Sequence, residues 1–119
     1  MKLLNRSEHY RDNDIPVNIT LSADESNISI NGTVLTLVIK DDTTGIPVTV
    51  VSKTMTMVLN SDQSITGRTK LAVADLSTLA VGSTIELEYR VKAAIPDPLV
   101  GTINLLVDKG IFFSKPALL

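Results

Sequence analysis

The sequence has no cysteine and no tryptophan, a single histidine, and only two Tyr and two Phe among its 119 residues. Without cysteine there is no disulfide staple, no thiolate zinc site and no thiol nucleophile, so the fold must stand on packing and backbone pairing. The scarcity of rings works against the stacking faces that read sugars or single-stranded nucleic acid. A Ser/His/Asp triad would have to draft its base, His9, from the N-terminal segment. The six glycines are scattered singly, so no phosphate-cradling loop is present. Charge of one sign is lacking too: 11 Lys and Arg against 13 Asp and Glu leave a net −2, which gives no electrostatic drive toward nucleic acid or anionic lipid. Long apolar runs are missing, since no stretch approaches the roughly 20 residues that span a bilayer. "MKLLNRSEHYRDND" has two consecutive leucines after its lysine, short of a signal peptide. The expectation is a soluble, unexported chain that partners neither nucleic acid nor membrane. In that setting the Asn-x-Ser/Thr matches at Asn5, Asn18, Asn27 and Asn31 are chance.

What is present is period-2 alternation. Ile15, Val17, Ile19 and Leu21 alternate with Pro16, Asn18, Thr20 and Ser22, the signature of a strand with one buried face. "NGTVLTLVIK" reads as a tight turn into an interior strand, and "DDTTG" as the next turn. Ile46 to Asn60 holds one or two strands, and Arg68 to Val73 a short one after the break at "SDQSITG". "VADLSTLAVG" leaves the period-2 pattern for about one helical turn with a glycine stop. Ser83 to Lys92 resumes it, with Ile85, Leu87, Tyr89 and Val91 on the apolar side, and Thr102 to Asp108 is the last strand. About seven short strands, broken by turns roughly every 8 to 12 residues, predict one domain, an all-β antiparallel sandwich or barrel with one short helical turn.

Four groups could carry function, the first being His9. Glu86 and Glu88 share a strand face at about 7 Å, a spacing open to paired carboxylates. Arg90 and Lys92 continue that face, so a solvated polar stripe is the better reading. Asp12, Asp14, Asp24, Asp41 and Asp42 could collect around calcium, but none follows a calcium-loop spacing, and Asp is the ordinary residue of turns. No metal, cofactor or catalytic residue is therefore assigned, and the chain is expected not to be an enzyme. The fourth group is apolar and terminal: Leu3 and Leu4 at one end, and Ile111, Phe112, Phe113, Leu118 and Leu119 in "GIFFSKPALL" at the other. They either dock on the chain's own sandwich or, since an exposed apolar patch would be a liability, on a neighbouring subunit. The expected organisation is thus an N-terminal arm (1–14), a sandwich (15–109) and a C-terminal arm (110–119), with those seven residues as partner contacts.

Taken in order, these features resemble the immunoglobulin-like domain at the N-terminus of tailed-phage baseplate upper proteins and in related small phage virion proteins. "RDNDIPVNITL" is similar to that family's basic and acidic lead-in to an alternating first strand, although Asp12-Asn13-Asp14 stands where the family has Gly-Asp. "INGTVLTLVIKD" matches a turn and a strand ending in Lys, and "ADLSTLAVG", Leu87 with Tyr89, and "GTINLLV" match the later pieces. The resemblance implies an Ig-like β-sandwich with a structural role in a virion, in the tail, baseplate or capsid decoration. Other virion proteins or further copies of the chain would be its partners, held through the terminal arms and an edge strand, and there would be no catalytic residues. The alternative is a host-receptor or adhesin domain that binds a ligand through "DDTTG", "SDQSITG" and "AAIPDP".

Overall fold

A computed structural model describes residues 4–21, 32–62, 64–79 and 82–116. Among these the chain is nearly all strand, in two sheets, as the alternation predicts. The strands are β1 (Glu8–Tyr10), β2 (Ile15–Leu21), β3 (Val34–Asp41), β4 (Val48–Thr54), β5 (Thr56–Leu59), β6 (Ile65–Leu71), β7 (Ile85–Ile95) and β8 (Ile103–Lys115), eight where about seven are expected. One sheet has the order β1-β8-β7-β3-β4 and the other β2-β6-β5.

The alternation in the sequence becomes the inner face of each sheet. Ile15, Val17, Ile19 and Leu21 of β2 are buried while Pro16, Asn18 and Thr20 are exposed. Leu35, Leu37 and Ile39 of β3 and Leu87, Tyr89 and Val91 of β7 have no accessible surface. Each such side chain contributes about 1.5–3 kcal/mol of burial, which makes β3 and β7 the backbone of the core. β4 and β5 are one run of chain that changes sheet at Met55. Its amide donates to the Leu35 carbonyl at 2.8 Å, and its side chain plugs the core at the crossing. A 3₁₀ turn, Val73–Leu76, follows β6, its amide end capped by the Asp75 carboxylate on Ala72 N–H at 2.7 Å, and Leu76 and Leu79 pack into the core.

The terminal segments do not stop at the expected boundaries. β1 pairs parallel with the end of β8, Glu8 beside Phe113 and Tyr10 beside Lys115, and Leu4 sits in the core. At the other end, β8 runs unbroken through residue 110 to Lys115, with Phe112 fully buried. The boundaries at 14/15 and 109/110 therefore fall inside the sandwich. Two glycines explain why the sequence pattern breaks where the strands do not. A Cβ on Gly67, in β6, would lie 2.8 Å from Leu35 Cδ1, and one on Gly110, in β8, would lie 2.7 Å from the Tyr89 hydroxyl and 2.6 Å from Asn5 Oδ1. Both glycines are close approaches within strands, not turn signals.

Gly67→Ala is expected to destabilise the fold by about 1–3 kcal/mol through overpacking against Leu35, read as a lower urea midpoint at unchanged m-value. Gly110→Ala should cost a similar amount and also shift the fluorescence of Tyr89.

Candidate functional site

The quoted lead-in "RDND" is resolved as a clamp. Arg11 follows β1, and its guanidinium donates to the Ser114 hydroxyl at 3.0 Å, to the Ser114 carbonyl at 3.2 Å and to the Ser83 carbonyl. One side chain thereby ties the start of β7 to the end of β8. Asp14 accepts the Val73 amide at 3.1 Å and faces Lys70 at 3.6 Å, so it docks the 3₁₀ turn against β2 and β6. Asp41 closes its own turn by accepting the Thr43 amide at 3.0 Å. Asp24 lies outside the described residues, and among those described no group of three or more acidic or histidine side chains is placed to share an ion.

Glu86 and Glu88 lie on the outer face of β7, opposite Phe113 and Ile111 of β8. Glu88 is bound to the Arg90 guanidinium two residues on, so one member of the carboxylate pair is already neutralised and the face is a polar stripe. His9 packs edge-on against Phe112, ring centroids 6.1 Å apart, and burial lowers its pKa from the ordinary 6.5. Its Nε2 lies 2.9 Å from Ser7 Oγ. The serine proton, however, is donated to the Leu4 carbonyl at 2.7 Å, so the imidazole N–H must donate to the hydroxyl. That polarity is the reverse of what general-base activation of a serine needs. The Ser7–His9 pair pins the N-terminal turn on β8.

A further ion pair straps the two sheets together. Lys53, on β4, reaches the Asp75 carboxylate at 2.6 Å and the Lys70 carbonyl at 3.0 Å, both on the far side of the sandwich. Burial alone would raise the Asp75 pKa. The hydrogen bonds from Lys53 and the Ala72 amide, with the field of Lys53 and Lys70, outweigh it and hold the carboxyl below its ordinary 3.8.

Of the seven residues expected to contact partners, Leu4 and Phe112 are spent in the chain's own core, 6% and 0% exposed. Their alternation within β8 and the Leu4 turn explain this: both point between the sheets. Ile111 and Phe113 are half-buried on β8 beside the N-terminal segment, and Leu3, Leu118 and Leu119 lie outside the described residues. The surface that sequence reasoning missed is the other half of β8. Leu105 and Leu106 are 42% and 55% exposed there, and Leu106, Asn104, Ala94, Lys92 and Val38 line a shallow hollow of roughly 580 Å³ on the outer face. A signal for it was present: "INLLV" carries two adjacent leucines where strict alternation places one apolar side chain outward.

No family model and no curated protein matches this chain.

Because the folded-state pKa of Asp75 is lower than the unfolded one, the stabilisation it supplies is complete at neutral pH and fades as pH falls below about 4. Asp75→Asn is accordingly expected to cost about 1 kcal/mol at pH 7. The gap from the parent protein should shrink on acidification toward pH 3, measured by urea unfolding at both values.

Proposed function

We propose that this chain is a non-enzymatic Ig-like module of a bacteriophage virion, an assembly or attachment element of the tail, baseplate or capsid surface. The observation that carries the reading is the strand order taken with the resemblance in the sequence. In a variable-type Ig sandwich the first strand runs parallel to the last on the edge of the larger sheet, and the three strands of the smaller sheet cover it. The order β1-β8-β7-β3-β4 over β2-β6-β5, with β1 parallel to β8, is supporting geometry of that kind. The segments that resemble the phage family, "RDNDIPVNITL" and "GTINLLV", fall on the Arg11 clamp with β2, and on the exposed half of β8.

The chemistry of the surface agrees with a role through contacts. Arg11, Asp14, Asp41 and His9 are engaged in holding turns and strand ends, and Glu88 is paired with Arg90 along its own strand. Part of the exposed apolar surface, Leu105 and Leu106, lies on a sheet edge, where assembly by strand addition takes place. Repetition in a particle would make such weak contacts strong. Terminal arms contribute less to this mechanism than the sequence implies, since Leu4 and Phe112 are internal. The ligand-binding alternative has less geometric support. The β5–β6 and β7–β8 connections lie at one end of the sandwich, beside Leu21 and Val34, whereas "DDTTG" joins β3 to β4 at the opposite end.

The deciding measurement is mass spectrometry and antibody labelling of particles purified from a lysate of the bacterium that carries the gene. The chain is expected to band with particles at a fixed copy number, and recovery only in the free protein fraction would overturn the reading.

A further inference from the structure

The edge of the larger sheet is covered along only half its length. The Arg6 amide donates to the Ile111 carbonyl at 2.6 Å and the Phe113 amide to the Ser7 carbonyl at 2.9 Å, so the N-terminal segment protects β8 from residue 111 onward. Upstream of Arg6 the chain leaves the edge. Arg6 takes a left-handed φ of 60°, the Ser7 amide closes a turn on the Leu4 carbonyl at 3.1 Å, and Leu4 dives into the core. Among the described residues, no strand pairs with the outer side of residues 103–109. The other edges are blunted in the ways proteins use against strand addition. β5 has four residues, β2 carries Pro16 and shows Asn18 and Thr20 outward, and β4 is preceded by Pro47 and bent by a register break opposite Ile39 and Lys40.

We infer that this open edge pairs antiparallel with the same edge of a second copy of the chain, Leu105 facing Leu105 across a two-fold axis, so that two five-stranded sheets join into one of ten strands. The backbone directions set this register. Ile111 and Phe113 turn their carbonyl and amide toward the N-terminal segment, so Asp108, Gly110 and Phe112 bond to β7. A bulge then inserts Val107 between the partners of Val91 and Lys92. Beyond it Ile103 and Leu105 bond to β7, and Asn104 and Leu106 aim their amides and carbonyls at the open side. An axis at Leu105 sets Asn104 against Leu106 of the second copy, so those open groups meet in a hydrogen-bonded pair. Ile103 then faces Val107, Thr102 faces Asp108, and no like charges oppose. Moving the axis to Leu106 would set Asn104 against Asp108, which the bulge has put on opposite faces. Moving it to Asn104 would leave Val107 facing Gly101. A two-fold contact of this kind closes on itself and buries the hollow beside Leu106 on both copies.

The inference deepens the assembly reading and takes its biological setting from it, while dimerisation itself is tested on the purified protein, so the two fail separately. Sedimentation should show a dimer at sub-millimolar concentration. Leu105→Cys, in a chain with no other cysteine, sits in a non-hydrogen-bonded pair of disulfide-compatible separation. It should oxidise to a covalent dimer at least about tenfold faster than Leu59→Cys on the β5 edge. Asn104→Pro removes an amide that faces away from β7 and meets no strand among the described residues, and is expected to weaken the dimer by about tenfold or more at an unchanged unfolding midpoint. Leu105→Lys, which keeps the whole backbone, should do the same by like-charge repulsion. A monomer under these conditions, equal cross-linking at Leu105 and Leu59, or a dimer indifferent to both Asn104→Pro and Leu105→Lys would overturn the inference.

Discussion

Three strands cannot cover five. At the usual spacing of about 4.8 Å between strands, the smaller sheet leaves about 10 Å of the larger one's inner face without a partner. Most of the structure is a response to that shortfall. On one side β4 solves it by crossing over at Met55 to become β5, and Lys53 straps the crossing to Lys70 and Asp75. On the other side the N-terminal segment folds under β8, placing Leu4 in the core and His9 against Phe112. That cover reaches only the second half of β8, and the first half keeps inward-facing Leu105 42% exposed while Phe112, further along the same strand, is fully buried.

The cover is held by polar contacts because its own ladder is short. β1 contributes three residues in parallel register, the weaker of the two pairings per residue. Around it stand the Arg11 guanidinium on Ser83 and Ser114, the Lys115 ammonium on Glu8 at 3.0 Å and over the Tyr10 ring at 5.5 Å, and the Ser7–His9 pair. The Glu8–Lys115 pair is largely solvated, so it adds little energy and mostly sets which residues lie side by side. Arg11 differs, since its planar fork reaches two strands at once and fixes their separation. Titratable side chains that suggested chemistry in isolation are thus arranged as fasteners.

Much of this was legible in the sequence because burial on one face writes itself as period 2. β2 and β7 match their alternation residue for residue, and Tyr89 lies inside, on the apolar side where the pattern puts it. The 3₁₀ turn falls where Leu76 and Leu79 depart from that period. What was not legible has a common cause: it depends on contacts between residues far apart in the chain. Gly67 and Gly110 look like breaks until Leu35 and Tyr89 are seen pressed against their Cα atoms. "EHY" carries no strand signal of its own, because its partner lies about a hundred residues away. The same holds for the terminal residues, where apolar character alone cannot distinguish a residue that docks inward, such as Phe112, from one that docks on a neighbour.

The bulge at Val107 shows how the two halves of β8 come to behave differently. Before it, Ile103 and Leu105 face inward on the odd positions, and after it Asp108, Gly110 and Phe112 do so on the even ones. One inserted residue therefore serves two demands that a regular strand could not meet together. It lets Gly110 pass beneath Tyr89 and Phe112 enter the core, and it keeps Leu106 on the outer face next to Ala94 and Lys92. Bulges commonly protect an edge by twisting it away from other strands. Here the exposed residues before the bulge are Asn104, Leu105 and Leu106, with Asp108 and Lys109 following it, so the bend separates a covered half of the strand from one whose first residues are mostly apolar. The inserted residue thus sets a half of β8 fastened by the N-terminal segment next to a half that shows Leu105 and Leu106 to solvent.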